Sequence, residues 1–162
     1  MNLIVAVDKN WSIGYKNKLL ISIPDDMKFF RETTTGNVVV MGKNTLLSFP
    51  NGKPLKNREN IVITHDKAFK AEGAVVVNSI EEALEEVKKY NTKNVYVIGG
   101  GSIYEQMLPY VDTAYVTYID FEYEADTKFP NLDNSKEWKL TEESEEQTYF
   151  DVEYYFRKYE RV

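Results

Sequence analysis

The chain has 162 residues, no cysteine and one histidine, and its 20 basic and 26 acidic side chains give a formal net charge of −6. This length predicts one compact domain, residues 1–162, that can bury a core without disulfides. Thiol nucleophiles and cysteine- or histidine-rich metal centres are excluded, so we expect no bound metal. An acidic chain also lacks the basic face that nucleic acid or an anionic membrane requires, so we expect neither partner.

Short apolar runs rich in β-branched residues predict strands that are buried on both faces, as in a parallel sheet covered by helices. The first run is too short for a signal peptide or a membrane span, and we expect a cytoplasmic protein. The predicted strands of this kind are Leu3–Val7, Val38–Met41, Ile61–Thr64, Ala74–Val77 and Val95–Ile98.

Helical patterns lie between these runs. Pro24 suits the first turn of a helix, where its missing N–H would have no partner, and Ser79 with Glu82 forms a capping box. The predicted helices span Pro24–Thr34, Ser79 to about Lys89, and Gly101–Ser102 to just before Pro109, with a helical turn after Gly42.

The last third of the chain is richer in tyrosine and phenylalanine and alternates in part, which favours strands of which some are antiparallel at a sheet edge. These strands are Thr113–Ile119, Trp138–Thr141 and Thr148–Glu160. The alternation of strands and helices predicts an α/β domain with a mostly parallel sheet.

Three glycines, Gly99–Gly101, lie between a predicted strand and a predicted helix. Glycines let a phosphate approach the backbone, and a helix N-terminus offers free N–H groups. The pattern is not the G-x-G-x-x-G dinucleotide motif, and a tight strand-to-helix turn explains the glycines equally well.

Two adjacent carboxylates, Asp25 and Asp26, begin the first predicted helix, where acidic residues stabilise the helix dipole. Helical geometry points Asp25 towards water and puts Asp26 at the edge of the stripe that contains Met27 and Phe30. Partial desolvation would raise the pKa of Asp26 and make it a candidate proton donor or relay, although helix stabilisation alone would account for either residue.

Basic and polar residues follow the predicted strands at their carboxyl ends. Lys43, Thr64 and His65 would share this edge of the sheet and suit a phosphate monoester, although a lone histidine is commonly a solvated turn residue. Arg58, just before a strand, offers a planar, bidentate donor for a carboxylate, or is an ordinary surface arginine.

Several segments follow one another in a specific order and at a specific spacing. They are Ile4–Val7, Ser12–Gly14 with Asn17, Ile23–Phe30, Val40–Thr45, Pro54–Leu55 with Arg58 and Asn60, Val97–Glu105, and Asp126–Pro130. No single segment is decisive, but the ordered set resembles the dihydrofolate reductase family along nearly the whole chain.

The resemblance implies a single α/β domain with a central, mostly parallel eight-stranded sheet, an antiparallel C-terminal edge and about four helices. It implies reduction of 7,8-dihydrofolate to 5,6,7,8-tetrahydrofolate in one-carbon metabolism, with NADPH as the cofactor and hydride transfer to C6 of the pterin. Asp26, supported by Thr117, would promote protonation at N5. We expect a small-molecule folate substrate and a monomer.

The resemblance also implies binding residues. Those for the substrate are Ile4, Asp26, Met27, Phe30, Phe49, Leu55, Arg58, Ile98 and Thr117, with Arg58 on the α-carboxylate of the glutamate tail. Those for the cofactor are Ala6, Ile13, Gly14, Asn17, Lys43, Asn44, Thr45, Thr64, His65, Gly99, Gly100, Gly101, Ser102, Ile103 and Tyr104. Among these, Lys43, Thr64 and His65 match positions that meet the adenosine 2′-phosphate.

The chain departs from the family pattern at Leu20 and Ile21, which stand where a proline and a tryptophan are usual. That tryptophan helps to hold a water near the catalytic acid, and Leu20, Leu46 and Leu47 are candidates to fill its space. Lys43 replaces a common arginine and keeps the charge without the fork.

Two alternatives stay open. A related pyrimidine reductase of riboflavin synthesis could share the scaffold, although Asp26 with Arg58 favours a pterin. The altered pair at Leu20 and Ile21 motivates the second alternative, a non-catalytic protein that binds NADPH or folate.

Overall fold

The computed structural model describes residues 1–16 and 18–162, which form twelve strands and four α-helices. The strands are β1 (Asn2–Asp8), β2 (Ser12–Tyr15), β3 (Lys18–Leu19), β4 (Val38–Gly42), β5 (Glu59–Ile63), β6 (Ala74–Val77), β7 (Val95–Gly99), β8 (Thr113–Ile119), β9 (Thr127–Lys128), β10 (Trp138–Glu143), β11 (Gln147–Tyr149) and β12 (Val152–Arg161). The helices are α1 (Pro24–Thr34), α2 (Lys43–Leu47), α3 (Ile80–Val87) and α4 (Gly101–Met107). None of these helices combines the length and the apolar character that a membrane span requires.

A central mixed sheet organises the described residues, with the strand order β10-β12-β8-β1-β7-β4-β5-β6. Neighbours from β8 to β6 are parallel, whereas β12 is antiparallel to both β8 and β10. The short β11 pairs with β12 beside this row of eight. The prediction of a mostly parallel eight-stranded sheet with an antiparallel C-terminal edge is confirmed.

The central strands are apolar throughout because both of their faces are covered. In β4, Val38 and Val40 belong to one core cluster, while Val39 and Met41 belong to another. All four side chains are buried. Since successive side chains of a strand point to opposite faces, a continuous apolar run is what a doubly covered strand needs.

The capping box of α3 differs by one residue from its prediction. Ser79 Oγ accepts a hydrogen bond from the Glu82 N–H at 3.0 Å, as expected. The Glu82 carboxylate, however, accepts from the N–H of Asn78 at 2.6 Å rather than from that of Ser79. The helix ends at Val87, short of Lys89, because its last N–H groups bond to carbonyls three residues back and tighten the final turn.

The prediction of one strand over Thr148–Glu160 is wrong, because a turn at Phe150 divides it into β11 and β12. Phe150 has a φ of +52° and is 85% exposed, and Tyr149 pairs with Val152 across the turn. Turns of this kind favour glycine or asparagine, so an aromatic residue gave no turn signal.

A second, small sheet was not predicted. It has the order β3-β2-β9, and its strands have only two to four residues, too few for a periodic pattern. Asp8, at the end of β1, is fully buried and fixes the connection to β2. Its carboxylate accepts hydrogen bonds from the backbone N–H groups of Asn10, Ser12 and Tyr123 at 2.9–3.0 Å.

Candidate active site

The candidate site lies at the carboxyl edge of the sheet, where β1, β7 and β4 end side by side. The strand β7 comes late in the chain but lies between β1 and β4, so the connections from these strands diverge at this edge. Such a divergence opens a crevice, and open parallel sheets bind their ligands there.

Asp26 on α1 is joined to Thr117 on β8 at one side of this crevice. The Thr117 hydroxyl donates a hydrogen bond of 2.6 Å to Asp26 Oδ1. Thr117 is 2% exposed and stands opposite Ala6 of β1 in the parallel register. The structure therefore brings Asp26, Thr117 and Ala6 together, whereas Asp25 is exposed, as helical geometry predicted.

Burial raises the pKa of Asp26, and the hydrogen bond from Thr117 lowers it by a smaller amount. The net direction is upward, because desolvation disfavours the charged carboxylate. A half-buried carboxyl group of this kind can hold a proton, or a hydrogen bond to a nitrogen heterocycle, closer to neutral pH than an exposed aspartate can.

An apolar wall adjoins this carboxyl group. Ile4 and Ile98 are buried in one core cluster, and three other predicted substrate residues, Phe30, Phe49 and Leu55, pack against it. Met27 is not part of that cluster and is 41% exposed. Five of the six apolar residues implied for the substrate thus share one surface.

Arg58 is held at the far end of the same wall, next to the last turn of α1. Its Nη1 donates to Thr34 Oγ1 at 3.0 Å, and its Nε donates to the carbonyl of Lys56 at 2.9 Å. Burial and the positive charge of Arg31 lower the pKa of Arg58, although a guanidinium group stays protonated in proteins. Two cations in this position favour the binding of an anion.

Asn60 fixes the segment that carries Arg58. The side chain is 2% exposed, and its Oδ1 accepts from the N–H of Leu55 at 3.0 Å. Its Nδ2 donates to the carbonyls of Leu55 and Arg58 at 2.9 and 3.0 Å. Thr34 and Asn60 are therefore positioning residues. Asn60 belongs to one of the ordered sequence segments and Thr34 ends the first predicted helix, but the sequence predicted neither role.

The glycine turn between β7 and α4 leaves no room for side chains. Gly99 has a φ of +123°, and a Cβ there would lie 3.2 Å from the ring of Tyr104. A Cβ on Gly101 would come within 2.5 Å of the Thr127 side chain. The Tyr104 hydroxyl donates to the carbonyl of Ile4 at 2.7 Å, and burial raises its pKa far above the ordinary range.

Two other elements that carry predicted cofactor residues, α2 and β2, meet this turn. Thr45 Oγ1 of α2 lies 3.5 Å from the position of a Cβ on Gly100, and Ile13 of β2 lies 3.8 Å from that on Gly101. Four other predicted cofactor residues do not contact the turn glycines in this way. Ile103 lies against Gly42, and Gly14 lies near Thr127. Ser102 Oγ accepts a hydrogen bond from the Gln106 side chain, and Asn44 is exposed. Asn17 lies outside the described residues.

Lys43 and Thr64 meet near the ends of β4 and β5 through a residue that the sequence reasoning missed. Asp66 Oδ2 lies 3.2 Å from Lys43 Nζ, and the N–H of Asp66 donates to Thr64 Oγ1 at 3.2 Å. His65, between them in sequence, is exposed. The only feature of the sequence that pointed to Asp66 was its position directly after Thr64 and His65, which were predicted to bind a phosphate.

Ile21 packs against a cluster formed by Ile23, Ile119 and Tyr154. Leu46, a candidate to fill the tryptophan space, belongs instead to the cluster that contains Ile4, and Leu47 is 51% exposed. Tyr123, Tyr149, Val152 and Phe156 pack against the Ile21 cluster as well. Aromatic residues from the C-terminal half therefore pack against the same cluster as Ile21.

A family model described as dihydrofolate reductase matches residues 1–161. The dihydrofolate reductase of Staphylococcus haemolyticus is 37% identical over 166 residues, which cover 100% of this chain and 96% of the relative. That of Haemophilus influenzae is 39% identical over 139 residues, which cover 86% of this chain and 83% of the relative.

The solved structures include a similar fold, dihydrofolate reductase from Enterococcus faecalis complexed with NADP(H) and RAB-propyl. It matches with a TM-score of 0.85 at 33% identity and covers 99% of this chain and 95% of that chain. The family model and the relatives cover nearly the whole chain, and they show that it belongs to the dihydrofolate reductase family.

Proposed function

We propose that this chain reduces 7,8-dihydrofolate to 5,6,7,8-tetrahydrofolate with NADPH, and that the residues of the carboxyl-edge crevice carry the reaction. The observation that carries the proposal is the Asp26 carboxyl group, which is half-buried, bonded to Thr117 and placed beside an apolar wall. Membership of the family supports the same activity.

Asp26 acts on the pterin through the oxygen that Thr117 does not use. Thr117 donates to Oδ1, so Oδ2 is the oxygen that we assign to the substrate. A hydrogen bond there orients the pterin and promotes protonation at N5. The C6 carbon then accepts hydride and the C=N bond is reduced. At the other end of the wall, the fork of Arg58 suits the α-carboxylate of the glutamate tail.

The residues around the glycine turn fit NADPH, which supplies the hydride when bound. Gly99 and Gly101 have neighbours at 3.2 and 2.5 Å from a would-be Cβ, so only a bare backbone fits where α4 begins. Thr45 adds a hydroxyl beside this backbone, and Lys43 adds a positive charge at the start of α2. Ala6 stands opposite Thr117, so we assign the nicotinamide end of the cofactor to the side of the crevice that holds Asp26.

We further propose that the chain acts as a monomer without a nucleic-acid partner. The residues assigned to both ligands come from one copy of the chain, and the net charge of −6 disfavours a polyanion. The cytoplasmic location stays a prediction.

The proposed function is tested by following NADPH oxidation by the purified chain with and without dihydrofolate. We expect oxidation that depends on dihydrofolate and yields tetrahydrofolate. Oxidation that instead requires a phosphorylated ribitylamino-pyrimidine would favour the related reductase, and binding of both ligands without oxidation would favour the non-catalytic alternative.

Asp26→Asn should lower the turnover number at neutral pH by about 10²-fold or more, because a general acid–base group typically contributes that much. Acid should restore part of the loss, since a substrate that is already protonated needs less help. Asp25→Asn is the matched control, and steady-state kinetics of both variants are the measurement. Equal losses in the two variants would contradict the role of Asp26.

The same substitution should stabilise the folded chain at neutral pH. The pKa of Asp26 is raised on folding, so the folded state keeps a proton that the unfolded chain has lost. The contribution of Asp26 to stability therefore falls as pH rises from the ordinary aspartate pKa through the folded-state value, and it stays low above that. Asparagine does not titrate, so the stability gain of Asp26→Asn should shrink on acidification.

Urea unfolding of the wild type and Asp26→Asn across this pH range measures the gain, with Asp25→Asn as the control for the change in charge. A stability difference that does not vary with pH would show that folding leaves the pKa of Asp26 unchanged.

Ile21→Trp should not give faster hydride transfer at unchanged stability. The Ile21 side chain already packs against buried Ile23, Ile119 and Tyr154, and overpacking a filled site costs about 1–3 kcal/mol. The measurement is thermal or urea unfolding together with the single-turnover rate of hydride transfer. A variant that transfers hydride faster at unchanged stability would show that the space had been left open, and Ile21→Val is the control for a change without added volume.

A further inference from the structure

A carboxylate stands within the group of residues that we assign to the 2′-phosphate. Asp66 Oδ2 lies 3.2 Å from Lys43 Nζ, and Asp66 Oδ1 accepts a hydrogen bond from the N–H of Ala68 at 3.0 Å. Both oxygens are therefore engaged, and the backbone contact holds the carboxylate in place. Lys43 is the cation on which the phosphate would depend.

The immediate surroundings keep Asp66 charged. The N–H of Ala68 and then the Lys43 side chain lower the pKa of Asp66 below its usual range. The ring of Phe69 also lies near Lys43, with its centroid 4.9 Å from the ammonium nitrogen. The ammonium group therefore contacts both an aromatic face and a carboxylate.

We propose that Asp66 is a specificity-determining residue, whose carboxylate competes with the 2′-phosphate of NADPH for Lys43 and thereby reduces the preference for NADPH over NADH. The inference rests on the proposed function, because it takes Lys43 and Thr64 as the phosphate-binding residues. Lys43 and Thr64 attract the phosphate, whereas Asp66 repels it.

Charge and donor count explain why the competition is partial. An ammonium group has three N–H donors, so Lys43 can contact the phosphate without losing Asp66 altogether. The phosphate still acquires a negative neighbour at the distance of an ion pair. Because Lys43 and Asp66 are 34% and 47% exposed, solvent and salt screen this repulsion. NADH has no 2′-phosphate, so its affinity should not depend on Asp66.

Asp66→Asn separates charge from structure. Asparagine keeps a side-chain oxygen that can accept from the Ala68 N–H, but it removes the negative charge that faces Lys43. We expect the Kd for NADPH to fall by about two- to fivefold, the upper part of the range for a partly screened ion pair, while the Kd for NADH changes less than about twofold. The gain should shrink at high salt. Adenosine 2′,5′-bisphosphate and 5′-AMP should repeat this contrast.

Asp151→Asn is the matched control, because Asp151 is exposed in the turn before β12 and its replacement changes the net charge equally. It should leave all four affinities unchanged. In the Lys43→Ala background, the gain from Asp66→Asn should become smaller, because the competition for Lys43 is lost and only the repulsion between Asp66 and the phosphate remains. Weaker or unchanged NADPH binding by Asp66→Asn, or a full gain without Lys43, would overturn the proposal.

The binding titrations also keep the inference distinct from the proposed function. A chain that binds NADPH and reduces dihydrofolate, but whose NADPH affinity ignores Asp66, contradicts the inference alone. A wild-type chain that binds neither NADPH nor adenosine 2′,5′-bisphosphate contradicts both.

Discussion

The parallel pairing of β1 with β8 on one side and β7 on the other is the constraint on which the site depends. The pairing with β8 sets Ala6 opposite Thr117. The hydroxyl of Thr117 in turn holds Asp26, which lies on α1 rather than in the sheet. The pairing with β7 brings the glycine turn to the same edge, where the Tyr104 hydroxyl bonds back to Ile4 of β1. A shift of one residue in either register would turn these side chains to the opposite face of the sheet.

Much of this arrangement could be predicted from the sequence, and the reason is physical. Strands covered on both faces must be apolar at every position, so β1, β4, β5 and β7 stand out as runs, and Pro24 and Ser79 mark helix starts through local hydrogen-bond rules. The run at β6 also predicted a strand, but burial on both faces is wrong there, because β6 is the edge strand and Val75 is 38% exposed. The small sheet β3-β2-β9 and the turn at Phe150 could not be predicted. The small sheet is set by contacts between distant segments, and the turn carries a residue type that the backbone does not favour.

The site residues divide along the same line. The position of Asp26 could be predicted because helix periodicity fixes which way a side chain points. Thr117, Ala6 and Ile13 came from the resemblance alone, since the sequence does not show which strands pair. Lys43, Thr64, His65 and Gly99–Gly101 were also marked by their places at the ends of predicted strands. Asp66 and Thr34 contact side chains that are distant in the sequence, and such roles depend on tertiary distances that no local pattern encodes. Asn60 bonds instead to backbone groups of Leu55 and Arg58, close to it in the sequence.

Two charged side chains at this edge of the sheet have unfavourable surroundings, and each has a hydrogen-bond partner that stabilises it. Asp26 is desolvated and receives a hydroxyl hydrogen bond, and Arg58 stands near a second arginine and is held by Thr34. The loop after β1 is anchored away from Ile21: Trp11 is 3% exposed, stacks on Phe129 at 6.2 Å between ring centroids, and accepts a hydrogen bond from the Phe129 N–H.

Asp8 accepts hydrogen bonds from the N–H of Ser12 at the start of β2 and from that of Tyr123 after β8, so the connection between β1 and β2 has both a polar and an aromatic anchor. Neither anchor involves position 21. Where the resemblance implies a tryptophan, Ile21 has no hydrogen-bond donor, so we expect its effect to fall on proton supply to Asp26 rather than on the fold.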